Sequence, residues 1–206
     1  MKKSAKIIGR GTDREAPLAL TPEQRSLCKD IEDIASVVKM DHWNILNRPS
    51  HRRTTILKQT KDKLVRGHVT FMYTLVDELL TVAIWSYYFP ETRWVDRTFP
   101  QLWRMKQFKT FNHYLMEETF LLKKLSLVDA IRKVPKQVFS AITRINDVRN
   151  ALAHGFFPQE RRRYLAHKKV MYGGADIFSK DGVEKFTKDL DLVFKHLCRR
   201  AFGTKP

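Results

Sequence analysis

The chain is poor in cysteine and in negative charge, and it has no long hydrophobic run. Its two cysteines, Cys28 and Cys198, stand far apart among 206 residues. There is no CxxC pair and no Cys/His ligand cluster, so neither a structural zinc site nor any other metal site is expected. Both thiols fall on the apolar side of predicted helices, where cysteine acts as a small core residue. No uninterrupted apolar stretch reaches 18 residues, which predicts no membrane-spanning helix, and the opening residues carry no signal-peptide core. Together these features point to a cytoplasmic protein that uses no membrane. No P-loop or glycine-rich nucleotide loop is present, and no bound cofactor is expected. His42, His51, His68, His113, His167 and His196 show no metal-ligand spacing.

What the chain has in excess is positive charge. Lys and Arg number 39 against 22 Asp and Glu, a formal net charge of +17. That exceeds what solubility requires and predicts long-range attraction to polyanions. Nucleic acid is favoured over a membrane surface, because no helix pairs a basic face with an exposed aromatic one. With 43% hydrophobic and 30% charged residues, the composition is that of a globular chain.

Residues 1–20, with Lys2, Lys3, Lys6, Arg10 and Arg14, read as a flexible basic tail. Residues 21–206 read as one domain, mainly α, a helical bundle with an appended short β-hairpin and C-terminal helix. Thr21-Pro22-Glu23-Gln24 is a capping-box start for a helix reaching about Met40. A loop over 41–53 follows. A long helix then runs from Thr54 to about Tyr88, with Leu64, His68, Phe71, Leu75, Leu79 and Ile84 on a wide apolar face, the pattern of a central helix. Asp77 and Glu78 sit in its middle, either facing a cleft towards a distant Arg or lying on a solvated face. Residues 89–103, with Trp94 and Trp103 beside Arg93 and Arg97, form an irregular connector whose aromatics can stack on bases or plug one end of the bundle, and the plug is favoured. Helices are expected at about 105–117 and 119–132. Pro135 separates the second from a further helix starting near Lys136, giving a helical hairpin. Residues from about 168 to 179 carry two short strands joined by a tight turn at Gly173-Gly174. From Asp181 to Ala201, with Asp181 and Glu184 as a capping pattern, Val183, Phe186, Leu190, Val193, Leu197 and Ala201 mark the buried face of the last helix.

The segment Arg144–Pro158 carries the candidate chemistry. Val138, Ile142, Ile145 and Leu152 set a helical stripe, and Gly155 and Pro158 mark its end. Within it stand Arg149, Asn150 and His154, in the form R-N-x-x-x-H. Directly downstream lie Arg161, Arg162, Arg163, Lys168 and Lys169, a basic cluster placed to guide a phosphate backbone towards His154.

Arg149, Asn150 and His154 together resemble the signature of the HEPN superfamily, an Arg followed by a polar residue and, four to six positions on, a His. The resemblance spans roughly Leu64 to Pro158. It implies a small helical bundle, and a metal-independent ribonuclease that works as a homodimer with a composite site at the interface. It also brings toxin and phage-defence effectors into view, with an antitoxin or other regulatory partner.

The residues suit that chemistry. Metal-free RNA cleavage needs a base for the 2′-hydroxyl, an acid for the leaving oxygen and a cation for the phosphorane. A His titrates near neutrality and serves as base or acid. An Arg fork matches phosphate oxygens, and the Asn150 amide can orient the His or bind phosphate. Five residues apart on one helix, Arg149 and His154 diverge by about 140°. Two copies about a two-fold axis resolve that mismatch and supply a second His as the acid. The competing expectations are structural: Arg149 paired with Asp147 or Asp77, and His154 resting on the helix dipole. A non-catalytic HEPN module that binds RNA or a protein partner is the alternative function; the intact Arg–His pair argues for the enzyme.

Overall fold

The computed structural model describes residues 20–39, 54–89, 99–154 and 169–202. Its first helix, α1 (Pro22–Val37), begins as its sequence dictates. The Thr21 hydroxyl accepts from the Gln24 N–H at 3.2 Å, and the Gln24 side chain accepts from the Thr21 N–H at 3.0 Å. Two orphan N–H groups at the helix start are thereby satisfied reciprocally. Ile31, Ile34 and Ala35 are fully buried on the inward face, and Lys58 and Lys61 of the next helix reach back to Glu23 and Asp30.

That next helix, α2 (Thr54–Tyr88), has 35 residues and is the axis of the bundle. Helices α1, α5 (Leu121–Ile131), α6 (Lys136–His154) and α7 (Lys180–Phe202) pack along it. Leu57, Leu64, Val65, Val69, Val76, Leu80 and Ile84 are buried along it. The apolar face is narrower than the sequence predicts, since Phe71 and Leu75 are exposed. The expectation of no spanning-length apolar helix needs amendment too. Although its apolar residues are interrupted, α2 contains an 18-residue window with mean hydropathy 1.3, long and apolar enough to cross a membrane. In this fold one side of the helix is buried against the others, while the side that carries Phe71 and Leu75 is exposed.

Between α2 and α5 the chain makes one helical turn, α3 (Phe99–Leu102), and then α4 (Lys106–Phe111). The wider turn Asn112–Met116 extends α4. Its end is fixed by Asn112, which donates to the Glu117 carboxylate at 2.8 Å. The aromatic plug exists in part: Phe108, fully buried, meets the rings of Trp85, Trp103 and Phe89 edge-on at 5.1–5.3 Å. Trp94, Arg93 and Arg97 lie outside the described residues.

The helical hairpin of α5 and α6 is tied at its turn. Asp129 accepts from the Val134 N–H, and Arg200 donates to the carbonyls of Arg132 and Lys133. The β-hairpin is shorter than predicted. β1 (Met171–Tyr172) pairs antiparallel with β2 (Ala175–Asp176), and Gly173 and Gly174 both take positive φ, as a tight two-residue turn demands. The cap of α7 also differs from the Asp181/Glu184 pattern. The Ser179 hydroxyl accepts the Gly182 N–H at 3.2 Å. The α7 stripe itself is buried as expected, with Val183, Phe186, Leu190, Val193, Leu197 and Ala201 all inside. Each such large apolar side chain contributes about 1.5–3 kcal/mol.

Candidate functional site

Helix α6 holds its register through one apolar stripe: Val138, Ala141, Ile142, Ile145, Val148 and Leu152 are buried. His154 is its last residue. The next residues, including Gly155, Pro158, Arg161, Arg162, Arg163 and Lys168, lie outside the described residues. The end of the helix is held from outside. Arg66 of α2 donates through Nη1 to the Leu152 carbonyl at 2.5 Å and through Nε to both oxygens of Asp62 at 2.9 Å. A guanidinium on a terminal carbonyl satisfies an orphan acceptor and opposes the negative end of the helix dipole. Arg66 therefore fixes the backbone two residues before His154.

Arg149 points towards α2. Its guanidinium lies 4.8 Å from the ring centre of Tyr73, and its Nη1 donates to the Asn150 side-chain oxygen at 3.0 Å. The adjacent Arg–Asn pair thus forms a unit, with the ring face and the amide together setting the fork's direction. Burial pushes the Tyr73 hydroxyl above the usual tyrosine range, the Asp77 carboxylate adds to that, and Arg149 opposes it.

The carboxylates fall elsewhere than the sequence suggested. Asp77 pairs with Lys124 of α5 at 2.7 Å, not with Arg149. The reason is packing. Lys124 is buried on the inward side of α5 and needs a counter-charge, and Asp77 is placed to supply it. Glu78 is exposed beside it. Both line an open cleft of about 660 Å³ with Tyr73, Trp85, Trp103 and Phe120. Glu117 and Glu118 also line it, so this cleft is acidic and aromatic within a basic chain. Asp147 is exposed on α6, with its Oδ1 3.5 Å from the Asn146 amide. It too forms no pair with Arg149.

A second cleft, of about 350 Å³, opens between α6 and the β-hairpin. Arg144, Asp147, Val148 and Ala151 line it from the helix, and Lys169, Val170, Met171, Tyr172 and Gly173 from the hairpin. Its wall is tied by one carboxylate: Asp189 of α7 accepts from the Tyr172 hydroxyl at 2.6 Å and from Arg144 at 2.7 and 3.0 Å. Burial and the neighbouring Asp189 raise the Tyr172 hydroxyl far above its ordinary value, so it remains a donor.

Of the expected site residues, the structure brings Arg149 and Asn150 into contact, and gathers Lys169 with Asp147 at the second cleft. Arg149 and the backbone position of His154 stand on different faces of α6. Arg66, Tyr73 and Lys124 also take part here, and little in the sequence marks them. Arg66 carried a weak signal, an i,i+4 acidic partner at Asp62; Lys124 carried one in its place among Leu121, Leu122 and Leu125. Among the described residues, no three His, Cys, Asp or Glu side chains are grouped to hold a metal ion. No family model matches this chain, and no curated protein or solved structure matches it.

Proposed function

We propose that this protein is a metal-independent RNA endonuclease of HEPN type. It would act as a homodimer at a composite interface site, in the setting of a toxin or phage-defence effector. One observation carries the reading: Arg149, Asn150 and His154 lie at the end of a helix whose last turn is tied to α2 by Arg66. Arg149, oriented by Tyr73 and Asn150, grips a phosphate oxygen. His154 of one copy takes the 2′-hydroxyl proton, and the second copy's His protonates the leaving 5′-oxygen. Attack by the 2′-oxygen leaves a 2′,3′-cyclic phosphate and a 5′-hydroxyl. The +17 charge concentrates RNA near the protein.

The alternative, a non-catalytic HEPN module that binds RNA or a protein partner, is favoured by one observation: Arg149 is already engaged by Tyr73 and Asn150 within its own chain. Substitution separates the two. For the enzyme, His154→Ala abolishes cleavage of total RNA with little change in melting temperature, and Arg149→Ala abolishes it with some loss of RNA affinity. Destabilisation by both changes, in a parent that cleaves nothing, supports the module instead.

A further inference from the structure

The cleft between α6 and the β-hairpin joins apolar side chains to charged groups of both elements. Its helix side runs through positions 144, 147, 148 and 151. Steps of four and three, from 147 to 151 to 154, keep to one helix face, so position 154 lies on the same face, about 5 Å beyond Ala151. The far wall is tied by hydrogen bonds. Asp189 ties Tyr172 to Arg144, Val170 accepts from the Ile177 N–H at 2.8 Å, and Gly173 closes the turn against the Lys185 side chain. A preorganised wall of this kind is what selective binding requires.

The lining is apolar in the middle and charged at the rim. Val148, Ala151, Val170 and the half-exposed Met171 offer a surface on which a planar base can lie. Asp147 and Lys169 are exposed at its edge. Arg144 is held by Asp189. The volume, about 350 Å³, accommodates one purine nucleoside.

We infer that this cleft is a guanine-selective pocket for the nucleotide next to the scissile phosphate. Guanine presents two adjacent N–H donors and a carbonyl acceptor on one edge. The Asp147 carboxylate takes both donors, and the Lys169 ammonium serves the acceptor oxygen. Adenine puts a ring acceptor where the carboxylate needs a donor. Cytosine offers one donor group beside an acceptor, and uracil one N–H between two carbonyls. Single-stranded RNA is read in this manner, with unstacked bases bonded along their pairing edges. The pocket's role in choosing a cleavage position rests on the ribonuclease reading; its selectivity for the base does not.

The test uses the full-length protein and the four nucleoside 5′-monophosphates, with binding read from the Met171 methyl resonance, alongside sequencing of cleavage positions in total RNA. All four ligands carry the same phosphate, so differences between them report on the base. Guanosine monophosphate should bind about tenfold or more tighter than the others, since one good bidentate contact discriminates on this order. Asp147→Asn, at an exposed position, should erase that preference without moving the melting temperature. Cleavage positions should adjoin guanosine in the parent and lose that bias in the variant. Equal binding of the four nucleotides, or an unchanged preference in Asp147→Asn, overturns the pocket even where RNA is cut. Selective binding with no cleavage leaves the pocket standing and removes the ribonuclease.

Discussion

Asp77 and Lys124 should respond very differently to removal, although they form a single ion pair. The Lys124 side chain is 7% exposed and that of Asp77 25%, with 2.7 Å between ammonium and carboxylate. Asp77→Ala leaves the ammonium enclosed without its counter-charge, a loss of about 3–5 kcal/mol. At about 2–4 °C per kcal/mol for a chain of this size, that is a fall of roughly 6–20 °C in melting temperature. Lys124→Met removes the deeper charge and keeps most of the stem's packing. Asp77 then remains at the lip of the wide cleft, where water solvates it, so the loss should be only about 1–2 kcal/mol. Combining the two changes should recover much of what Asp77→Ala loses, because the stranded charge is gone. A coupling of about 1–3 kcal/mol between the sites is expected. Urea unfolding followed by far-ultraviolet circular dichroism measures all four proteins. Equal losses from the two single variants, or strictly additive losses in the double one, would refute the asymmetry.

Acid should destabilise the fold through its buried histidines. His68 and His196 have Nε2 atoms buried without a hydrogen-bond partner among the described residues. Burial lowers both below the usual histidine range, and Arg200, Arg199 and Arg132 lower His196 further. A base whose folded-state pKa is depressed contributes stability above its unfolded value, about 6.5, and loses it as pH falls below that. Melting temperatures from pH 8 to 5 should show the loss, and His68→Leu should reduce it; a profile flat to pH 5 would contradict the assignment. At Gly182, an added Cβ would overlap the Asp176 carbonyl oxygen, so Gly182→Ala should cost about 1–3 kcal/mol in a thermal melt, and an unchanged melt would mean the hairpin can shift freely. Replacing Arg161, Arg162 and Arg163 by Gln should lower RNA affinity and flatten its salt dependence by roughly one unit of log–log slope for each phosphate left without its arginine; an unaltered slope would show the cluster to be a solvated face.

Local rules carried the reading where a feature depends on neighbours in sequence. The Thr21 capping box, the Gly173-Gly174 turn, the break at Pro135 and the α7 stripe each follow from residues within one or two turns. The misplaced features depend on partners far along the chain. Asp77 finds Lys124 47 residues away, and helical periodicity cannot say that a lysine within an apolar stripe will be buried. Phe71 and Leu75 match the spacing of a buried face, but the surrounding helices leave that side of α2 exposed. The wide turn at Asn112–Met116 has no periodic signature, and the Ser179 cap was hidden by a plausible acidic pattern two residues later. At the site, the signature named Arg149, Asn150 and His154, and their spacing gave the divergence of faces. The clamp of Arg66 on Leu152, the ring of Tyr73 under Arg149 and the hairpin cleft beside Asp147 emerge only once α2, α6 and the hairpin are packed together.

The most direct measurement is cleavage of a defined single-stranded RNA by the purified protein in excess EDTA, with the product ends identified. Cleavage should survive the chelator and leave 2′,3′-cyclic phosphate and 5′-hydroxyl ends, the protein should be a dimer by light scattering, and His154→Ala should not cleave. Cleavage that disappears with EDTA, products bearing 5′-phosphates, or an equally active His154→Ala protein would contradict the proposed function.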